Sequence, residues 1–364
     1  MSQSMLRYKF ITPALLCSLF LSLVFLSCKK EPAAVILVNR TCLTDNVTSA
    51  QALYYGTEEG TKPGQFVAGS KATLKTALDA AINVLADSAS TKEDVTNACA
   101  QLQAAITAYE ANKIAEVAAA NLIGFWKFDG SPADSSGHGN NGVLTQGANL
   151  AVGPITYYGG GMPFLTVDRF GRANMAYHFD HGGNIEVPYT SSLNPSTEMS
   201  ISLWCKKDTA GRTINPNTYT MVALNRWNGY KYQWQETNRP FYTVRVIPPD
   251  SPANYINRDD NLSLDNEVWY QVAVTFKSGQ MIFYVDGIKV ATWTDFTGTA
   301  IPVPPSINFV IGQDLPTSQY QTVDGDFQVT WGGFWTGDLD EVMFYNVALT
   351  EQQVGAIYDN QKSP

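Results

Sequence analysis

Short runs in which apolar and polar residues alternate fill the last two thirds of this sequence, and they constrain its fold most. Such runs occur at 199–205, 241–246 and 269–276. Alternation with a period of two is typical of strands that bury one face. Asp286-Gly287 lies between two such runs, the typical sequence of a type I′ hairpin. Because these strands need a second layer to cover their apolar faces, the sequence predicts an all-β sandwich of two sheets.

The segment before these strands has helical periodicity instead. Thr91-Lys-Glu-Asp94 resembles a capping box and marks the start of the last helix, and residues 47–55 are a weaker helix. The helical module is predicted over residues 42–115, and its apolar stripes are expected to form its core. These stripes are Leu74, Leu78, Ala81, Ile82 and Leu85, and then Val95, Cys99, Leu102, Ile106 and Tyr109.

The first residues have the pattern of an export signal. Arg7 and Lys9 precede an apolar run over residues 10–25. A run of this length is too short for a convincing transmembrane helix. The sequence therefore predicts a signal peptide over residues 1–27.

The signal ends at Phe25-Leu-Ser-Cys28, which resembles a bacterial lipobox. Cleavage before Cys28 would leave a thiol and an amine that carry acyl chains, and several chains together hold a protein firmly on a bilayer. Lys29 follows the cysteine in place of the aspartate that retains lipoproteins in the inner membrane, which favours the outer membrane. Residues 28–41 would then be a tether. The alternative is an ordinary signal peptide with a cysteine at this position by chance.

The composition fits an exported protein with a sizeable core. Hydrophobic residues make up 45% of the chain and charged residues only 16%, and the formal net charge is -9. Removing the signal takes away two of the 24 basic residues and none of the 33 acidic ones, so the mature charge is 22 minus 33, or -11. This acidity argues against a nucleic-acid partner, which needs basic surface.

Three of the five cysteines remain once the signal is removed and Cys28 carries lipid. An odd number allows at most one intramolecular disulfide. A Cys42–Cys99 bond within the helical module is one alternative, and free thiols are the other. Cys205 shares its strand face with apolar residues, so we expect a buried free thiol there.

Five stretches in order resemble the laminin-G-like jelly rolls of the concanavalin A-like lectin/glucanase superfamily. The resemblance covers about residues 121–361 and implies a jelly-roll domain over 121–364. It does not fix the function, because the superfamily holds lectins, hydrolases and adhesion modules. The stretches are Phe125-Trp-Lys-Phe-Asp-Gly130 with residues 134–142, then residues 176–188, 201–204, 269–287 and 337–350.

The helical module in turn resembles the FIVAR-type repeats of bacterial surface proteins. The resemblance rests on Pro63-Gly-Gln-Phe66, on Ser70 and on the two alanine-rich helices that follow. It implies a three-helix spacer between the lipid anchor and the jelly roll.

The jelly-roll resemblance also implies a calcium ion, which many relatives bind at varied places. Calcium takes six to eight oxygen ligands. Asp129 and the Asn140-Asn141-Gly142 loop offer such oxygens, and Asp340 on the closing strand would join them if the first and last strands are adjacent. The candidate ligands are therefore Asp129, Asn141 and Asp340. The alternative is that they only cap turns.

No catalytic motif is present. Glucanases of this superfamily carry an E-x-D-x-x-E strand that places two carboxylates for glycosidic cleavage, and this sequence has no such string. Asp338, Asp340 and Glu341 come nearest, but they belong to a signature that non-enzymatic jelly rolls share. We therefore expect a binding protein rather than an enzyme.

Aromatic residues concentrate between residues 226 and 235. Tyr230, Tyr232 and Trp234 share strand parity, which predicts an exposed platform on which sugar rings stack, with Trp227 and Arg226 at its border. Core packing is the alternative for each ring. A second cluster contains Trp331 and Trp335.

These patterns together predict a lipid-anchored protein of the bacterial cell envelope that binds a glycan or polysaccharide through a concanavalin A-like domain. The anchor would be its only link to the membrane. A structural or protein-binding surface lipoprotein is one alternative. A hydrolase of carbohydrates with an unrecognised site is the other.

Overall fold

The computed structural model describes residues 38–364 except 153, 154, 158, 210–217, 236, 324, 326 and 332. The predicted signal peptide and Cys28 lie outside the described residues. Within them, no helix has the length and apolar character needed to cross a membrane.

Three helices form the N-terminal module, as the sequence predicts: α1 (Thr41–Gly56), α2 (Ser70–Ala86) and α3 (Lys92–Glu110). The predicted capping box opens α3: the Asp94 N–H donates to Thr91 Oγ1 at 3.2 Å, and the Thr91 N–H donates to Asp94 Oδ2 at 2.9 Å. Such reciprocal bonds satisfy two donors that a helix start leaves open.

A disulfide between Cys42 and Cys99 joins α1 to α3. Of the two alternatives that the sequence left open, a disulfide or free thiols, the structure therefore has the disulfide. The Asn46 side chain adds a hydrogen bond to the Cys99 carbonyl at 3.1 Å. Around this link, the buried side chains include Leu43, Leu74, Leu78 and Leu102. Cys205 is a buried free thiol, as expected.

We expect reduction to destabilise the helical module. The two cysteines are 57 residues apart. Closing a loop of that length in the unfolded chain corresponds to about 4 kcal/mol in the chain-entropy account. Urea unfolding of the chain from residue 29 onward, followed by circular dichroism with and without reductant, measures the effect. In a Cys42→Ser/Cys99→Ser control, reductant should change nothing, and a wild-type curve that reductant leaves unmoved would contradict the prediction.

Eighteen described strands follow, and a last helix ends the chain. The first nine are β1 (Leu122–Trp126), β2 (Val143–Thr145), β3 (Leu150–Val152), β4 (Ile155–Tyr157), β5 (Phe164–Thr166), β6 (Ala176–Phe179), β7 (Asn184–Val187), β8 (Glu198–Lys207) and β9 (Thr218–Leu224). The others are β10 (Tyr230–Gln235), β11 (Pro240–Ile247), β12 (Asn254–Asp259), β13 (Tyr270–Lys277), β14 (Gln280–Val285), β15 (Ile288–Trp293), β16 (Thr299–Ala300), β17 (Phe309–Ile311) and β18 (Gly337–Tyr345), before α4 (Glu351–Gln361).

Sixteen of the described strands form two antiparallel sheets of eight, and β3 pairs with β4 in a separate two-stranded sheet. The predicted jelly-roll sandwich is confirmed. The first sheet has the order β15-β14-β13-β8-β18-β6-β5, with β1 also paired to β18. The second has the order β12-β11-β10-β9-β17-β7-β2, with β16 paired to β11. The first and closing strands are therefore neighbours, as the calcium hypothesis requires. The predicted hairpin joins β14 to β15, with φ of 49° at Asp286 and 74° at Gly287.

The core lies between the two sheets and is rich in aromatic rings. On β8, Ile201 and Leu203 point into it, as their alternation predicts. From the second sheet, Tyr230 stacks on Phe344 of β18, with ring centroids 5.9 Å apart. Stacked rings of this kind contribute beyond their buried area.

Helix α4 covers the outer face of the first sheet. Its Val354 is fully buried and packs with Tyr284 and Met343 of that face. The ring of Tyr358 stacks on Trp204, with centroids 5.8 Å apart. Apolar residues thus lie on both sides of the first sheet.

Arg169 fixes the end of α4 to the closing strand. Its Nη1 donates to Asp340 Oδ2 at 2.6 Å, and its Nε and Nη2 donate to the carbonyl of Gln361 at 3.2 and 2.7 Å. Its Cζ lies 4.5 and 4.4 Å from the ring centroids of Phe170 and Trp204. One buried cation therefore satisfies a carboxylate and a helix C-terminus at once.

Substituting Arg169→Met should lower stability by about 3–5 kcal/mol, because it leaves the buried Asp340 carboxylate without its partner. Lys289→Met is the matched control, since Lys289 also contacts α4 through Glu351 but is 43% exposed. Exposed pairs contribute about 0–1 kcal/mol. Urea unfolding of both variants gives the comparison, and equal losses would contradict the assigned role of Arg169.

Candidate functional site

The connection between β9 and β10 has an unusual backbone. Asn225 and Arg226 both adopt left-handed conformations, with φ of 61° and 50°. Asparagine tolerates this region, but arginine seldom enters it. Strained backbone of this kind concentrates at functional sites and persists only where its surroundings enforce it.

A buried ion pair enforces this turn. Arg226 is 2% exposed, and its Nε and Nη2 donate to Asp314 Oδ2 and Oδ1 at 3.0 and 3.3 Å. Its Nη1 donates to the carbonyl of Gln328 at 2.9 Å, and the Tyr320 hydroxyl donates to Asp314 Oδ1. The expectation that Arg226 borders an open platform is therefore wrong, because its guanidinium is buried and bound to Asp314 and to the Gln328 carbonyl.

The predicted stacking platform is also wrong. Tyr230, Tyr232 and Trp234 share one face, as their parity predicts, but all three are fully buried between the sheets. Trp335, from the second predicted cluster, is buried with them, and its ring centroid lies 5.6 Å from that of Trp234. The face of β10 that carries these rings is turned toward the opposite sheet, so the rings form part of the core. Trp331 lies in a 3₁₀ turn (Val329–Trp331), and its side chain is outside the described part.

The other face of β10 points outward and carries Lys231 and Gln233. Lys231 pairs with Thr243 of β11, and Gln233 pairs with Phe241. Trp227 from the strained turn lies across this surface. Its ring centroid is 3.7 Å from Lys231 Nζ, and its edge-to-face contact with Phe241 has centroids 6.3 Å apart.

Polar groups surround the indole. Asn228 Oδ1 accepts from Arg245 Nη1 at 2.8 Å and from the Tyr255 hydroxyl at 3.3 Å. The Arg245 guanidinium carbon lies 5.3 Å from the Tyr255 ring centroid. Trp227 and Asn228 are half-buried and Tyr255 is 42% exposed, so solvent reaches the surface at these residues, whereas Lys231, Gln233, Phe241 and Thr243 are buried beneath them. We name it the Trp227 face, consisting of Trp227, Asn228, Lys231, Gln233, Phe241, Thr243, Arg245 and Tyr255.

Several polar atoms below this face have no hydrogen-bond partner. They are Lys231 Nζ, Gln233 Oε1 and Thr220 Oγ1, all buried. Most buried polar groups in folded proteins are satisfied, so a group of exceptions on two adjacent strands requires a reason. Burial lowers the pKa of Lys231 to about 7, although the nearby Asp314 opposes the shift. The interior of the face is therefore polar and incompletely paired.

The three predicted calcium ligands do not all have side-chain oxygens free to bind an ion. Asp129 is exposed, Asn141 Oδ1 accepts from the N–H of Asp134 at 3.0 Å, and Asp340 is held by Arg169. Across the described ranges, no group of three or more His, Cys, Asp or Glu side chains is arranged to hold a metal. Calcium binding stays a prediction, without support from these three residues.

Asp134 organises the loop in which those ligands were expected. Its carboxylate accepts from the N–H groups of Phe125, Ser136 and Asn140 at 2.8–2.9 Å. Burial by itself would raise the pKa of Asp134, but these hydrogen bonds hold it below its usual value. The signal in the sequence was the Asp-Ser-Ser-Gly run, which is typical of an Asx turn.

The closing-strand carboxylate Asp338 is also occupied. It accepts from His178 Nδ1 at 2.7 Å and from Lys206 Nζ at 2.6 Å. His178 and Lys206 lie on the flanking strands β6 and β8, so these contacts join three strands of the first sheet. Asp338 and Asp340 thus form ion pairs that hold the fold together, and Asp340 Oδ1 also accepts from the N–H of Glu341 at 2.8 Å.

The family of the sheet domain follows from a sequence comparison. A laminin-G-type family model, described as the concanavalin A-like lectin/glucanases superfamily, matches residues 179–355. These residues, just under half of the chain, are similar to that superfamily. The match confirms the predicted resemblance, and it includes every member of the Trp227 face. It does not reach the helical module, so the FIVAR-type resemblance stays a prediction.

Solved structures similar to this chain include a domain of an arabinanase, the receptor binding domain of a neurotoxin and the binding domain of a mosquitocidal protein. Domain 4 of AbnA, a GH43 extracellular arabinanase from Geobacillus stearothermophilus solved with arabinotriose, is 18% identical; the alignment covers 65% of this chain and 98% of that one, with a TM-score of 0.43. The receptor binding domain of botulinum neurotoxin mosaic serotype C/D is 14% identical over 67% of this chain and 52% of that one, with a TM-score of 0.44. The binding domain of Paraclostridial Mosquitocidal Protein 1 is 15% identical over 66% and 52%, with a TM-score of 0.40.

The chain spans about half the length of the latter two binding domains. No curated protein sequence matches it.

Proposed function

We propose that the Trp227 face binds a glycan. The observation that carries this proposal is the half-buried indole of Trp227, which is supported by Lys231 and Phe241 and bordered by the polar groups of Asn228 and Arg245. Aromatic rings stack on the apolar faces of sugars, while amides and guanidinium groups bind hydroxyls. A rigid ring beside hydrogen-bonding groups is the arrangement such a ligand needs.

The backbone of the turn supports the same assignment. Trp227 follows directly after the two left-handed residues, and the Arg226–Asp314 pair fixes that conformation. The indole is therefore held in place before a ligand arrives. Preorganisation of this kind reduces the entropy lost on binding, which matters for the shallow sites that sugars occupy.

Trp227→Ala should abolish or strongly weaken glycan binding and leave the melting temperature nearly unchanged, because the ring is partly exposed. Trp234→Ala is the matched control: its ring is fully buried, so the cavity should lower stability by about 3–5 kcal/mol. A glycan array identifies a ligand for the chain from residue 29 onward, and calorimetry and thermal melts then compare the variants.

Full binding by Trp227→Ala at normal stability would contradict the assignment. An array without any bound glycan, together with capture of a defined protein partner, would favour the alternative of a protein-binding surface component.

We also propose that the protein is a lipid-anchored component of the outer membrane, held through Cys28. The lipobox-like Phe25-Leu-Ser-Cys28 after an apolar run supports the anchor. The Cys42–Cys99 disulfide supports export, because structural disulfides persist in oxidising compartments and are rare in the cytosol.

Cys28→Ser should abolish labelling by a radioactive fatty acid and release the protein from the membrane fraction, since the acyl chains would be its only attachment. Labelling and fractionation of bacteria expressing each form provide the measurement. Cys17→Ser is the control, because Cys17 leaves with the signal peptide and should not affect labelling. Continued labelling of Cys28→Ser would rule out the lipobox.

A further inference from the structure

We infer that the glycan bound by the Trp227 face is anionic and carries a carboxylate or sulfate group that Lys231 and Arg245 attract. This inference rests on the proposed glycan function. It names the chemical class of the ligand, which neither the family nor the fold specifies.

The two cations lie on the same side of neighbouring strands. Lys231 pairs with Thr243, and Arg245 is two residues farther along β11 on the same face. Diagonal positions of this kind on adjacent strands are within reach of long side chains. Trp227 and Asn228 lie over this part of the surface and contact Lys231 and Arg245 respectively.

Neither cation forms a contact ion pair with a carboxylate of the described residues, although Asp314 acts on Lys231 from a longer distance. Arg226, in contrast, forms a close pair with Asp314. Lys231 Nζ is buried without a hydrogen-bond partner, and Arg245 Nε is likewise buried and unpaired. Two basic side chains without a contacting carboxylate at one place are notable in a chain with 33 acidic and 24 basic residues. An anionic ligand would supply the negative charge that these two cations lack nearby.

The position of the ammonium explains how it acts on a ligand that it does not touch. Lys231 Nζ lies behind the Trp227 ring, 3.7 Å from its centroid. The ring has no net charge, and although its π faces are partly negative, the full charge of the poorly solvated ammonium behind it offsets them and makes the potential at the outer face more positive. A sugar stacked there is favoured if it is negative, and Arg245 lies beside it to form direct hydrogen bonds.

The affinity for an acidic glycan should depend on whether Lys231 is protonated. The charged groups that act on it are Asp314 and Arg226, and burial lowers the pKa of Lys231 to about 7. An anion binds the protonated form more tightly, so the affinity for an acidic glycan should fall as the pH rises from 6 to 8. Lys231→Met should remove this dependence.

The test uses the chain from residue 29 onward, which contains every described residue, and two matched pairs of oligosaccharides. One pair is oligogalacturonate and its methyl ester, and the other is a sulfated galactan oligosaccharide and its desulfated form. We expect the acidic member of at least one pair to bind about tenfold more tightly or better, and added salt to reduce this preference. The pair that shows the preference distinguishes a carboxylate from a sulfate.

Substitutions then locate the preference. Lys231→Met and Arg245→Met should each lower the affinity for the acidic member to near that for the neutral member. Arg245→Lys should retain part of the preference because it keeps the charge. Lys277→Met, an exposed lysine on the other sheet, is the control and should change nothing. Thermal melts show whether each variant is folded.

The outcomes separate the two proposals. Equal binding of acidic and neutral members, or a preference that survives both methionine variants, would overturn the anionic class while leaving glycan binding intact. Loss of all binding in Trp227→Ala supports the proposed face in either case. Absence of binding to all four probes and to every glycan of an array would overturn both.

Discussion

The packing of aromatic rings between the two sheets is the interaction on which the rest of this domain depends. Tyr230 and Trp234 of β10 meet Phe344 and Trp335 across the core. Because side chains alternate along a strand, burying these rings forces Lys231 and Gln233 onto the outer face. The polar surface around Trp227 is thus a direct consequence of how the core is filled.

The sequence predicted which residues of each strand share a face, because that depends only on a period of two. It predicted the sandwich from that alternation, and it predicted the hairpin at Asp286-Gly287 and the cap of α3 from local sequence. It did not predict which face of β10 points inward, because that depends on strands more than 100 residues away, such as the one that carries Phe344. The ion pair between Asp340 and Arg169 could not be predicted from local patterns for the same reason, because the two residues are 171 positions apart.

The position of Trp227 depends on long-range contacts of a different kind. The buried Arg226–Asp314 pair and the Tyr320 hydroxyl hold a turn whose backbone is otherwise unfavourable. Such a pair contributes little net stability compared with apolar packing of the same volume, but breaking it is strongly destabilising. We interpret its role as fixing one conformation of the turn, which places the indole over Lys231.

Nuclear magnetic resonance of the indole N–H groups tests the central claim most directly, namely that the outer face of the second sheet binds the glycan. The eight tryptophans give eight indole signals, which single substitutions assign. Titration of the chain from residue 29 onward with a bound oligosaccharide should shift the Trp227 signal most, and should leave the buried Trp126, Trp234 and Trp335 nearly unchanged. A ligand that binds while the Trp227 signal stays in place would contradict the account.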